Sequence, residues 1–157
     1  MRVLCAVGSR GGPEMIRKLR AIMGAQHELL LLHVIDTGPR QSLDAFLRGP
    51  GSHHRPPPPL ERERRVDEVE EFVAKTTLEE ARQEAEQAGY TIHAEIQRGQ
   101  AEKLIVQLAE DGGYQLIVIW SSEGAQGHPQ IGPASIGRVA RYVLDHAPCD
   151  VLMLREL

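Results

Sequence analysis

Three glycines in the carboxyl-terminal third of the chain could form a phosphate-binding loop. Gly124, Gly127 and Gly137 have the spacing G-x2-G-x9-G, and an apolar stretch with helical period follows the last of them. Free backbone N–H groups at the start of a helix can bind phosphate. The composition of residues 121–138 is equally typical of a loose surface loop, so both interpretations stand.

A second glycine-rich loop, VGSRGGPEM at residues 7–15, follows an apolar run and precedes a predicted helix. A strand–loop–helix context is what an anion-binding turn requires. The loop contains neither a G-x-G-x-x-G fingerprint nor a P-loop, so a flexible strand–helix connection is the alternative. Arg10 in this loop and Arg138 after the third glycine are the cations nearest the predicted ligand cleft.

The remaining candidates for chemistry are weaker. His53 and His54 lie in a proline-rich stretch and are expected at the surface, whereas His33 lies in an apolar run and is predicted to be an interior histidine with its hydrogen bonds satisfied. Cys5 and Cys149 are predicted to be small core residues. Because no nucleophile, base or metal-ligand set stands out by spacing, we assign no catalytic residue and no metal site.

The elements that must position these loops alternate along the chain. Period-two and fully apolar runs predict strands, and 3.6-residue periods predict helices between them. The predicted strands cover residues 3–7, 29–35, 91–96, 116–120 and 151–154, and the predicted helices lie near 13–23, 60–88, 101–111 and 136–144. The order indicates an α/β fold with an open parallel sheet and helices on both faces. Ligands of such folds bind beyond the carboxyl ends of the strands, where the strand order reverses.

Length and charge limit the class of protein. The 157 residues suit one domain, predicted over 1–157, and the net charge of −4 with 4% aromatic residues argues against nucleic-acid binding. No apolar run is long enough to insert into a membrane, and the first ten residues do not resemble a signal peptide. These features predict a cytoplasmic protein.

Two segments depart from the average composition. Residues 38–59 hold six of the ten prolines and are predicted to be an irregular insertion and a possible site for a protein partner. Residues 60–88 carry ten acidic and five basic side chains, and we expect this charge on the solvated face of a helix. The predicted apolar face of that helix consists of Val66, Val69, Val73, Ala81, Ala85 and Ala88.

Five segments together resemble the universal stress protein family. They are VLCAVGS (3–9), LLLLHVID (29–36), RGQAEKLIVQLAE (98–110), GYQLIVIW (113–120) and GRVARYVLDHAPCDVLML (137–154). The resemblance covers the whole chain apart from residues 38–59. It implies an adenine-nucleotide-hydrolase-like fold with four helices and a five-stranded parallel sheet in the order 3-2-1-4-5. It also implies a homodimer joined through the last strand, here Val151, Leu152, Met153 and Leu154.

The same resemblance implies an adenine-nucleotide site. Gly124, Gly127 and Gly137 match the family's ATP-binding glycines, but Arg138 stands where a Ser or Thr is usual. Gly8 stands where the nucleotide-binding members have an acidic residue. If ATP binds, with Mg²⁺, the resemblance places Val7, Gly8, Ser9 and Val34 against the nucleoside. Arg138 could pair with phosphate, fill the pocket or face solvent.

We therefore expect a dimeric, non-catalytic binding or signalling module of the stress-response type, with an atypical site that binds ATP weakly or not at all. A slow ATPase is one alternative, for which Glu123 and His128 are the nearest candidates to activate water. A nucleotide-free dimerisation scaffold that uses residues 38–59 as its partner-specific arm is the other.

Overall fold

Five strands and four helices alternate along the part of the chain that the structure describes. This computed structural model describes residues 1–37, 60–121 and 136–155, with side chains from residue 64 onward in the second range. The strands are β1 (Arg2–Ala6), β2 (Glu28–Asp36), β3 (Thr91–Gly99), β4 (Leu116–Trp120) and β5 (Asp150–Leu154). The helices are α1 (Gly12–Met23), α2 (Leu60–Gln87), α3 (Ala101–Asp111) and α4 (Arg138–His146).

The five strands form one parallel sheet in the order β3-β2-β1-β4-β5. This confirms the predicted fold class and strand order. The chain leaves β1 toward one side of the sheet and, after β3, crosses back past β1 to add β4. The strand order therefore reverses between β1 and β4, and their carboxyl ends are the place where a ligand is expected.

Side chains on the two faces of the sheet form two separate cores. Because successive residues of a strand point to opposite faces, Val3 and Cys5 of β1 belong to one core and Leu4 to the other. The first core contains the buried residues of α1 and α2, and the second contains those of α3 and α4. Helices therefore cover both faces, as predicted.

The contact between α1 and α2 depends on a glycine. A Cβ atom at Gly12 would lie 3.0 Å from Ala81 Cβ, 3.2 Å from Val7 Cγ1 and 3.3 Å from the Thr77 carbonyl oxygen. Any side chain at residue 12 would therefore push the first turn of α1 away from α2 and from the end of β1. This close approach fixes the loop that leads from β1 into the helix.

The predicted apolar face of α2 is wrong over its first half. Ala81, Ala85 and Ala88 are buried, but Val66 and Val69 are 43% and 61% exposed. A 28-residue helix is about 42 Å long, whereas a nine-residue strand spans about 30 Å, so the sheet is too short to cover it. Ile22 of α1 and Leu144 of α4 are also exposed.

The prediction of a core position is confirmed for Cys5 but only partly for Cys149. Cys5 is completely buried, and burial raises the pKa of its thiol to about 12. Cys149 is half-buried, and burial raises its pKa as well.

None of the described helices has both the length and the apolar composition needed to cross a bilayer. The predicted insertion at 38–59 lies outside the described residues.

Candidate functional site

An apolar cavity of about 260 Å³ lies at the carboxyl ends of β1, β2 and β4. The first turns of α3 and α4 close its other side. It is lined by Ala6, Val7, Gly8, Leu32, Val34, Asp36, Ala101, Ile105, Ile119, Trp120, Val139 and Ala140. Its volume is just below the range of about 300–1,000 Å³ that is usual for small-molecule sites. The sheet topology therefore places a concave, mostly apolar site where the strand order reverses.

The structure brings some of the predicted site residues together at this cavity. Val7, Gly8 and Val34 line it, and Gly137 precedes α4, whose second and third residues also line it. Ser9 does not line this cavity, but it lines a second cavity that is described below. The other predicted residues, Gly124, Gly127, Glu123 and His128, lie outside the described residues.

Arg138 forms an ion bridge with two carboxylates beside the cavity. Its guanidinium Nη2 lies 2.6 Å from Asp36 Oδ2 at the end of β2, and its Nη1 hydrogen bonds to Glu102 Oε1 in the first turn of α3. The bridge joins three elements that border the cavity. Arg138 therefore does not simply face solvent or fill the pocket, since its charge is already paired within the protein.

Glu102 is the more buried of the two acids. Its side chain is 11% exposed, and its Oε2 atom has no hydrogen-bond partner among the described residues. Asp36 lines the cavity with a side chain that is 27% exposed. Neither acid was predicted as a site residue from the sequence. Asp36 could have been found, because it directly follows the apolar run of β2 at the edge where ligands bind.

The β1–α1 loop is anchored by Trp120 at the end of β4. The indole Nε1 donates a hydrogen bond of 3.2 Å to the Gly11 carbonyl, and the ring packs against Gly11 itself. Gly11 has a φ of +75°, which favours glycine, and the Lys18 ammonium lies 4.9 Å from the centre of the Trp120 ring. These contacts hold the loop in place and do not support the interpretation of a flexible connection.

A second cavity of about 210 Å³ lies between the end of β2 and α2. His33 lines it together with Ser9, Val69 and Glu70. The ring is 7% exposed, as expected of an interior histidine, but its Nδ1 has no hydrogen-bond partner within the described residues. The prediction of a fully satisfied histidine was therefore wrong. Burial lowers the pKa of His33, although hydrogen bonds with the backbone of Val7 and Gly8 oppose this shift.

The lowered pKa of His33 predicts that acid destabilises the fold. Above about pH 6.5, the ring is neutral in both the folded and the unfolded state. As the pH falls below this value, the unfolded chain takes up a proton that the folded state resists, so the free energy of unfolding decreases until the folded pKa is passed. Urea unfolding between pH 7.5 and 5 should show this decrease.

A His33→Leu variant should lose less stability than the parent over the same pH interval. Asp36 and Glu70, which line the same cavity, are present in both proteins. The difference between the two pH profiles therefore isolates the contribution of His33. Equal pH dependence in the two proteins would contradict a role for His33.

Within residues 1–37, 60–121 and 136–155, no group of three or more His, Cys, Asp or Glu side chains is arranged to hold a metal ion.

Comparison with known proteins assigns the family. The sequence profile described as "Universal stress protein family" matches residues 1–155. The chain belongs to the universal stress protein family. No curated protein matches the sequence significantly. Solved structures of the family share the fold: universal stress protein UspA from Lactobacillus plantarum superimposes with a TM-score of 0.69 and 22% identity, over 99% of this chain and 97% of that one.

Two further solved structures cover nearly the whole chain. The hypothetical protein MJ0577 is 25% identical, with a TM-score of 0.68 over 99% of this chain and 96% of that one. A universal stress protein family protein from Arabidopsis thaliana, solved with AMP bound, is 17% identical, with a TM-score of 0.64 over 100% of this chain and 92% of that one. The structure thus has the common architecture of the universal stress proteins.

Proposed function

We propose that this universal stress protein is a non-catalytic binding module whose apolar cavity takes the nucleoside part of an adenine nucleotide. The observation that carries the proposal is the cavity itself, which lies at the reversal of strand order and is lined by apolar side chains with a carboxylate at one side. A flat, apolar base fits an enclosure of this kind, and a few polar groups at its border would fix its orientation.

Family membership supports the choice of an adenine ligand. The structures of two family members contain such a ligand: the Arabidopsis thaliana protein was solved with AMP, and another universal stress protein, with a TM-score of 0.53, was solved in complex with cAMP. In this chain, Val7, Gly8 and Val34 would contact the nucleoside. The spacing of Gly124, Gly127 and Gly137 also supports the proposal, because it matches that of the family's ATP-binding glycines.

Titration calorimetry on the purified full chain tests the proposal. Adenosine, AMP, cAMP and ATP are added separately, after any small molecule that co-purifies has been removed by unfolding and refolding. We expect saturable binding of one adenosine per chain, with uridine as the control for base selectivity. If none of the adenine compounds binds to the folded protein at millimolar concentration, the proposed function is wrong.

We also propose that the protein is a homodimer joined through β5. This strand lies at the edge of the described sheet, so one row of its backbone N–H and C=O groups has no partner strand among the described residues. Val151, Leu152 and Met153 are only half-buried there. Pairing with the same strand of a second copy would cover both the backbone groups and these side chains.

A charge on this edge should separate the protomers. Met153→Asp is expected to convert the dimer to a monomer, as measured by light scattering, because a carboxylate would be buried without a partner. Ala94→Asp on β3, the opposite edge, is the matched control and should leave the dimer intact. Circular dichroism verifies that both variants fold, and a Met153→Asp protein that stays dimeric would exclude this interface.

A further inference from the structure

The ion bridge beside the cavity carries a net negative charge. Two carboxylates, Asp36 and Glu102, share one guanidinium, that of Arg138, so the three groups sum to −1. Glu102 is largely shielded from water, which weakens the screening of its charge by solvent. An anion that approaches the first turn of α4 therefore meets two carboxylates and an arginine that is already paired.

This charge balance affects the ligand forms differently. The negative charge of the bridge does not repel a neutral nucleoside, and the single phosphate of AMP can point toward solvent. A triphosphate carries several charges and would have to displace Asp36 or Glu102 from Arg138. Displacing Glu102 would leave a largely buried carboxylate without the Arg138 guanidinium, which is strongly unfavourable.

Asp36 also offers a positive recognition element. Its carboxylate lines the cavity and is held by Arg138, so it is oriented at the border of the apolar enclosure. In dinucleotide-binding folds with a parallel sheet, an Asp or Glu carboxylate accepts a hydrogen bond from a ribose hydroxyl. Nucleotide-binding members of the family have an acidic residue where this chain has Gly8. Asp36 would supply a carboxylate in its place.

We propose that the Arg138–Asp36–Glu102 bridge determines the ligand class of this cavity, favouring a ribonucleoside or its monophosphate over the triphosphate. The inference rests on the proposed function, because it concerns the same cavity. Arg138 acts here as a counter-ion that positions Asp36 and does not itself bind phosphate.

Isosteric neutralisation of the buried acid tests the inference. In calorimetric titrations, the parent protein should bind adenosine and AMP at least about tenfold more tightly than ATP. Glu102→Gln removes one negative charge and frees the guanidinium, so affinity for ATP should rise by about tenfold while affinity for adenosine stays unchanged. Glu110→Gln, an exposed change near the other end of α3, is the matched control and should change neither affinity.

Arg138→Ser distinguishes the bridge from two other roles of the arginine. If the bridge sets the ligand class, this variant removes the one positive charge of the bridge and should bind ATP more weakly than the parent, with Glu102→Gln changing in the opposite direction. An Arg138→Ser protein that binds ATP more tightly would mean that the arginine only blocks the site. An unchanged ATP affinity in Glu102→Gln, combined with a loss in Arg138→Ser, would mean that Arg138 binds phosphate directly. Either result overturns the inference.

The outcomes also separate this inference from the proposed function. If the parent binds adenosine and ATP equally well, the cavity takes adenine compounds and only the role of the bridge is wrong. If adenosine does not bind at all, the proposed function itself fails. Should Glu102→Gln not fold, as judged by thermal unfolding, Asp36→Asn neutralises the more exposed acid and carries the same prediction for ATP. 2′-Deoxyadenosine should bind the parent more weakly than adenosine, and this difference should disappear in Asp36→Asn.

Discussion

Replacing Val34 with phenylalanine is expected to weaken adenosine binding by at least about tenfold. Val34 lines the apolar cavity near the end of β2, and it is half-buried, so the larger ring has room to turn into the cavity without disrupting the core. Overfilling a packed site costs about 1–3 kcal/mol, and 1.4 kcal/mol corresponds to a tenfold change in affinity. Calorimetric titration of the folded variant with adenosine measures the effect.

Val66→Phe is the matched control for this experiment. Val66 lies on the exposed first half of α2 and lines neither of the two cavities. This variant should bind adenosine as the parent does. Unchanged binding in Val34→Phe would show that the nucleoside does not enter the cavity.

The largest effect on stability is expected at Gly12. Gly12→Ala should lower the free energy of unfolding by about 1–3 kcal/mol, and Gly12→Val by more. The reason is the close approach of α1 to α2, where a Cβ would lie 3.0 Å from Ala81 Cβ and within 3.3 Å of backbone at Thr77. Urea unfolding monitored by circular dichroism measures the loss.

Gly8 provides the comparison within the same loop. The nearest atom to a Cβ at Gly8 is the Arg10 carbonyl oxygen at 3.9 Å, so Gly8→Ala meets no obstacle. Its stability should match or slightly exceed that of the parent, since alanine reduces the entropy of the unfolded chain. Equal losses at both glycines would mean that the loop conformation, and not the helix contact, governs stability.

Most of the fold could be predicted because it depends on short-range patterns. The apolar run of residues 29–35 predicted a strand, and the structure places this strand, β2, between β3 and β1. Gly24 and Gly89, which follow the ends of α1 and α2, both have a positive φ, as is typical of glycines that end helices. The strand order came from the family resemblance. The prediction of an apolar face failed over the exposed first half of α2, because helical periodicity does not reveal how far the sheet beneath a helix extends.

The site was predicted less completely, for a physical reason. Val7, Gly8 and Val34 were predicted from the family resemblance, and all three line the cavity. The partners of Arg138 were not found, because Asp36 and Glu102 are 102 and 36 residues away in sequence and meet it only through the sheet topology. Likewise, no local pattern shows that Trp120 would anchor Gly11 across the strand–helix loop.

Methyl NMR of the full chain during titration with AMP tests the central claim most directly. If the nucleoside enters the apolar cavity, the methyl resonances of Ile105, Ile119 and Val139 should shift as AMP is added, because aromatic rings perturb nearby methyl groups. The methyl resonances of Val69 and Val73, which line the second cavity, should not shift. Shifts confined to Val69 and Val73, or no shifts at millimolar AMP, would contradict the account.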